Sequence, residues 1–250
     1  MVERITNDFS VKLPEPESLY IWLDLLGFSN ELEKRENKEE LSKKLEIFRT
    51  TFSNISEKTM YLSDGILISI DILRTPWDID KIGNIFKQLA EGQMNFFINL
   101  YEIIRGGIGV GETISDDNWK KSKFISRGMA KAYALESKKI SWPIIGMDED
   151  VLDVLCQKTK VSKERALEYF HSAPSVNAAG DTIYFIEFAK QIKNINQNHK
   201  TKIKTYFYNK FEEFEKKEYP NKVRLKYIWL YKYFKQTWGI EISNYKEWVL

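Results

Sequence analysis

The chain has 250 residues, 43% apolar and 30% charged, enough for a substantial core and too apolar for a disordered segment. Its net charge is only +2, and a single cysteine and two histidines exclude a disulfide framework, a thiolate zinc site and a multi-histidine metal centre. Any metal must then be held by oxygen. The longest apolar runs are too short to cross a bilayer, and the opening MVERITNDFS lacks the apolar stretch of a signal peptide. A soluble, cytoplasmic protein without a membrane partner is expected.

In chain order, Tyr20 to Phe28 is a short apolar run interrupted by Asp24 and closed near Gly27, which reads as a buried strand. Leu41, Leu45, Phe48 and Phe52 then recur at helical spacing. Met60–Leu62 and Ile66–Ile70 flank Ser63-Asp64-Gly65, where the Asp-Gly pair signals a hairpin. A long helix over about 78–102 follows, with Ile82, Phe86, Leu89 and Phe96 on one side. Arg105 to Glu112 alternates Gly with apolar residues and reads as a strand approached closely by a ligand or another backbone. A short helix over 127–137 and a strand over 142–146 complete the series.

The order β-α-β-β-α-β predicts an α+β fold with a ferredoxin-like core over residues 18–150. Residues 151–250 read as a mostly helical C-terminal extension packed on that core, with a short helix over 148–157, a strand over 183–186 and helices marked by Ile203, Phe207, Tyr227 and Phe234. Lys190 to Leu250 holds fourteen basic against six acidic residues. Alternating charge and aromatic spacing there favours a solvated helical surface over a nucleic-acid partner. The Gly-rich strand also lacks the aromatics of an RNA-binding sheet. No lysine followed by Ser or Thr closes the glycine run, which excludes a P-loop. Cys156 reads as an ordinary buried thiol.

An acid inside an apolar strand is costly unless it is paired, binds metal or points to an exposed face. Asp64 on its turn could be simple turn chemistry. If the first strand and the hairpin lie side by side, however, Asp24 and Asp64 face one spot. Two carboxylates there would suit Mg²⁺ or Mn²⁺ and chemistry at phosphorus.

The segments Leu23-Asp24-Leu25-Leu26-Gly27-Phe28-Ser29, Leu62-Ser63-Asp64-Gly65, Arg105 to Glu112, and Ala130-Lys131-Ala132-Tyr133-Ala134-Leu135-Glu136-Ser137 together resemble the class III nucleotidyl cyclases. The closer likeness is to the bacterial pyrimidine (uridylate and cytidylate) cyclases of antiphage signalling, and Arg224 to Leu230 resembles the C-terminal part of that branch. The resemblance implies that Asp24, Asp64 and the Leu25 carbonyl hold two divalent cations, Mn²⁺ or Mg²⁺. It implies attack of a ribose 3′-oxygen on the α-phosphate of a nucleoside triphosphate, and a homodimer with sites at the interface.

Ungapped alignment places Ala130 and Ala134 where purine cyclases carry the transition-state Asn and Arg, and Phe124 near the purine-selecting acid. A pyrimidine substrate, UTP or CTP, is therefore expected, with UTP the first choice. Arg105 is the expected catalytic cation. Gly27, Phe28, Lys58, Tyr61, Phe124 and Lys131 join Leu25 as candidate nucleotide-binding residues. A purine cyclase, or a domain that binds nucleotide without turnover, is the alternative.

Overall fold

The computed structural model describes residues 17–28, 38–56, 58–71, 77–112, 126–170, 172–177, 180–191 and 195–242. Strand β1 (Glu17–Leu25) is followed by helix α1 (Lys38–Phe52), the hairpin β2 (Lys58–Leu62) and β3 (Gly65–Asp71), helix α2 (Ile79–Leu100) and strand β4 (Ile104–Glu112). Helix α3 (Arg127–Ala134) runs into a π turn over Leu135–Lys139, and β5 (Ile145–Met147), α4 (Glu149–Thr159) and α5 (Lys163–Tyr169) follow. The chain ends in β6 (Ser172–Val176), β7 (Thr182–Ile186), α6 (Gln197–Lys216) and α7 (Asn221–Trp238). Among the described residues no helix is long and apolar enough to cross a membrane.

The strands form one sheet in the order β2-β3-β1-β4-β5-β7-β6. Its first four, all antiparallel, have the expected ferredoxin-like arrangement. β5 lies parallel to β4, and β7 pairs antiparallel to β5. The C-terminal region is mostly helical as expected, but its β6 and β7 extend the sheet, and neither β6 nor α5 is signalled by strong periodicity. Pro174 is found in β6, at the sheet edge, where a missing N–H leaves no central ladder bond unmade.

Side-chain caps set the start of two helices beside the sheet. Asp78 accepts from the backbone N–H groups of Asp80 and Lys81 to open α2, and Ser126 accepts from Gly128 and Met129 to open α3. The Ser126 hydroxyl also donates to the Glu112 carbonyl at 2.9 Å, tying α3 to the end of β4. The hairpin turn sits one residue earlier than the Asp-Gly signal suggests. Leu62 pairs with Gly65, so Ser63 and Asp64 are the two loop residues, with Ser63 at φ 53°. Gly65 is needed for another reason: a Cβ there would lie 2.6 Å from the Trp22 ring.

The two sheet faces are covered differently. Leu19, Ile21, Leu23, Ile66, Ile68 and Ile70 point into one continuous core shared with α1, α2, α6 and α7. Phe97 of α2 joins the layers, its ring 5.1 Å from Phe234 and 6.3 Å from Phe207. The opposite face carries Tyr20, Leu67 and Ala132 as a second small cluster, with Trp22, Met60 and Met129 half-buried around it. The close approach read from the β4 glycines is made by a backbone. A Cβ on Gly107 would lie 2.1 Å from the Ala132 carbonyl, and one on Gly109 2.3 Å from the Gly128 carbonyl. The glycines let α3 lie flat on the sheet.

Candidate active site

β1 ends where β4 begins, and this end of the sheet gathers the charges. Asp24 stands directly opposite Arg105 on β4 and opposite Gly65 on β3. The backbone N–H of Leu25 donates to the Asp64 carbonyl at 3.3 Å, which brings the hairpin turn against the end of β1. Residues opposed across strands share a face, so Asp24 and Arg105 both stand on the α3 side. The start of β4 is fixed from behind by Gln93. This buried α2 side chain donates to the carbonyls of Ile104 (3.0 Å) and Pro143 (3.2 Å).

Arg105 bridges two acids. Its Nη2 lies 3.8 Å from Asp24 Oδ2 and is ion-paired with Glu136. Its Nη1 donates to the Ile140 carbonyl at 3.4 Å, while Nε is buried without a hydrogen-bond partner. Glu136 is 3% exposed and sits in the π turn, closed by the bond from Ile140 N–H to the Leu135 carbonyl at 2.9 Å. A charged side chain so deeply buried requires its pairing with Arg105.

Burial, followed by the negative charges of Glu136 and Asp64, holds the Asp24 carboxyl up to about 7 against the opposing pull of Arg105 and Lys226. Burial likewise raises Glu136 above the usual carboxylate range, with Arg105 pulling the other way. Lys226, half-buried on α7, belongs to the same electrostatic group. Its ammonium is brought down to about 8 by burial, then by Arg105 and Lys222, with Glu136 and Asp24 opposing. The site thus contains three carboxylates and two cations. Its carboxylates supply hard oxygen donors, and the negative charge that Glu136 and Asp64 add around Asp24 suits a divalent cation.

The other sequence-selected residues divide by position. Asp24, Asp64, Leu25 and Arg105 are brought together, although the Leu25 side chain itself is buried in the main core. Gly27, at φ 89°, is exposed on the turn after β1, and Phe28 is 4% exposed within the core. Lys58 is ion-paired with Asp71, which pairs in register with Ser18. Asp24 is six residue steps along β1 from Ser18, about 20 Å at 3.3 Å per step. Tyr61 lies at the correct end of the sheet but opposes Ile66 on the core face, under the guanidinium of Arg49 at 5.5 Å. Lys131 is exposed on α3, its Cβ near Gly109, about 13 Å along β4 from Arg105. Phe124 lies outside the described residues.

Two residues of this group escaped the sequence reading. Glu136 had a legible signal: Gly128, Ala132 and Glu136 are four apart, so two small buried residues point to an acid on the same helical row. Lys226 lies in the Arg224–Leu230 segment that carries the resemblance, but nothing there gave it a role, because its electrostatic neighbours Asp24 and Arg105 are more than a hundred residues away in sequence. Trp22 and Tyr133 also meet beside the charged group, edge to face with centroids 5.4 Å apart. Tyr133 is 51% exposed.

No protein-family model matches the chain, and no curated protein matches its sequence. Among solved structures it is similar to the adenylyl cyclase CyaB from P. aeruginosa, at 14% identity and a TM-score of 0.46, covering 68% of this chain and 93% of that one. It is also similar to the guanylyl cyclase Cya2 (15% identity, TM-score 0.38, 68% and 91% covered). A third is the dimeric guanylyl cyclase domain of the RhoGC fusion protein from the aquatic fungus Blastocladiella emersonii (14%, 0.38, 68% and 96%).

Proposed function

We propose that this chain is a class III nucleotidyl cyclase that converts a pyrimidine nucleoside triphosphate, UTP before CTP, to its 3′,5′-cyclic monophosphate and pyrophosphate. The observation that carries the reading is the meeting of Asp24, on β1, with Asp64, on the hairpin turn, directly across from Arg105. Asp24, Asp64 and the Leu25 carbonyl would hold two Mg²⁺ or Mn²⁺ ions. Bound there, such ions supply a lowered pKa for the 3′-hydroxyl and charge neutralisation for the triphosphate. Arg105 is placed to meet negative charge developing on phosphate oxygens, and Glu136 holds its guanidinium in position.

The preference for a pyrimidine rests on side chains that cannot hydrogen-bond. Ala130 and Ala134 lie on α3, and by the resemblance they fall where a purine enzyme of this type uses Asn and Arg, so a site of this composition would have little with which to read a purine edge. The half-bare face around Trp22 and Tyr133 suits a second copy of the chain, and the active form in this reading is a homodimer with its sites at the interface. Cyclic pyrimidine nucleotides would act as cytoplasmic second messengers in defence against phage.

The test is direct. Purified protein is incubated with each of the four nucleoside triphosphates and Mn²⁺, and products are identified by mass. A cyclic monophosphate formed fastest from UTP or CTP is the expected result. Faster cyclisation of ATP or GTP overturns the base preference, and no cyclic product from any of the four overturns the activity.

A further inference from the structure

The turn that carries Asp64 joins the edge strand β2 to β3. By itself a surface turn is a loose support for a ligand that must be held to within about 0.5 Å. Its first residue adds to the difficulty. Ser63 has φ 53°, in the left-handed region that a residue with a Cβ occupies at a cost, so contacts from elsewhere must hold the turn in this shape.

Arg49 supplies one such contact from outside the hairpin. It stands half-buried in the last turn of α1, and its Nη2 donates to the Ser63 carbonyl at 3.1 Å. The same guanidinium lies over the Tyr61 ring, 5.5 Å from its centroid. One planar group thus grips β2 and the turn together, which suits arginine better than a point charge. The next carbonyl along, that of Asp64, accepts from the Leu25 N–H at 3.3 Å. These two carbonyls belong to the peptide units on either side of the Asp64 Cα. Each unit is planar, so holding both carbonyls sets both planes, and with them the direction in which the Asp64 side chain leaves the backbone. Leu25 ties one plane to β1 beside Asp24, and Arg49 ties the other to α1.

We propose that Arg49 is a positioning residue of the metal site, which aims the Asp64 carboxylate by holding the Ser63 carbonyl from the core side of the sheet. The metal site rests on the cyclase reading above; the positioning role rests on the contacts of Arg49 with Ser63 and Tyr61. Because Arg49 acts on the placement of a metal ligand, its loss should weaken divalent-cation binding and raise the cation concentration needed for half-maximal activity, with the fold intact.

The experiment is titration of the full chain with Mn²⁺ alone, followed by the electron paramagnetic resonance signal of the free ion, with circular dichroism on every variant. It compares the wild type with Arg49→Met, Arg49→Lys, Asp64→Ala and Lys43→Met, an exposed position on the same helix. Groups that orient metal ligands typically set affinity by about ten- to a hundredfold, and one surface hydrogen bond belongs at the low end. Arg49→Met should therefore weaken Mn²⁺ about tenfold, and Asp64→Ala more, with the helical signal unchanged. Arg49→Lys keeps the charge and a donor and should recover to within about threefold of the wild type. Lys43→Met should match the wild type. Wild-type affinity in Arg49→Met, an equal loss in Arg49→Lys, or a lost helical signal in Arg49→Met overturns the positioning role. No Mn²⁺ binding by the wild type, or binding indifferent to Asp64→Ala, overturns the metal assignment and this role with it. Cyclic product that needs Asp64 but not Arg49 sinks the positioning role and leaves the cyclase reading intact. Arg49-dependent Mn²⁺ binding without cyclic product from any nucleotide does the reverse.

Discussion

One face of the sheet buries Ile21, Leu23, Ile66 and Ile68 beneath four helices, while among the described residues the other carries the short α3 over Tyr20, Trp22 and Leu67. The first is thick, apolar and continuous through Phe97, Phe207 and Phe234. The second is thin and ends in Asp24, Arg105 and Glu136. Burial of apolar area on the first side offsets the unfavourable charge gathered at the end of the second. Stability and chemistry are thus separated by the strand period of two, and variants on the two faces should fail in different ways.

The largest expected effect is on turnover. Asp24→Ala or Asp64→Ala should lower cyclase activity by at least about a thousandfold, roughly 4 kcal/mol of transition-state stabilisation, while thermal unfolding occurs no lower than in the wild type. Removing Asp24 leaves Arg105 its pairing with Glu136 and relieves repulsion among carboxylates. Retained activity, or a melting temperature that collapses along with it, breaks the separation of roles.

The reverse pattern is expected on the core face. Phe86→Ala, in a fully buried side chain whose ring lies 5.0 Å from Phe170, should cost about 3–5 kcal/mol in urea unfolding. Gly107→Ala sharpens the contrast, because its methyl would meet the Ala132 carbonyl at 2.1 Å and α3 would have to lift. A loss of about 1–3 kcal/mol is expected, together with a change in the environment of Trp22, which packs against Tyr133 beyond Ala132. An unaltered near-ultraviolet spectrum in Gly107→Ala would show that α3 does not depend on the bare glycine.

The smallest effect is a pH dependence. The folded carboxyl of Asp24 is held up to about 7, above its ordinary 3.8, so its neutral form is the one favoured by folding. The associated stability is fully present below about pH 3.8 and is lost as the pH rises through 7. In metal-free buffer the wild type should therefore lose stability relative to Asp24→Asn across that window, by an amount on the order of 1 kcal/mol for a partly solvated group. Parallel stability curves for the two proteins would show that Asp24 is not under electrostatic load.

Much of this organisation was legible in the sequence. The helical stripe of α1, the long apolar face of α2 and the strand–turn–strand pattern around Asp64 are local signals, and they place Asp24 beside Asp64 once the βαββαβ order is recognised. Lys58 and Tyr61 show where locality misleads. Both are close to Asp64 in sequence, but in an extended strand Lys58 is carried toward the far end of the sheet and Tyr61 is turned to the other face. Glu136 shares a helical row with the small residues Gly128 and Ala132, but its meeting with Arg105 depends on a π turn, and the placement of Lys226 on the docking of α7, neither of which a local pattern encodes. The glycines of β4 carried a correct signal of close approach without naming the approaching partner, which is α3.

The central position of β1 has a consequence for how the chain folds. Its two neighbours come from distant sequence: β3 begins forty residues after β1 ends, and β4 nearly eighty residues after, so the sheet is assembled from long-range pairings that form slowly. Once β1, β2 and β3 have joined, the free edge of β1 presents Leu19, Ile21 and Leu23 with an unpaired backbone, a template for association with another chain. Asp24 near the end of that edge then works as a gatekeeper, since its uncompensated charge opposes pairing with a like strand until β4 delivers Arg105.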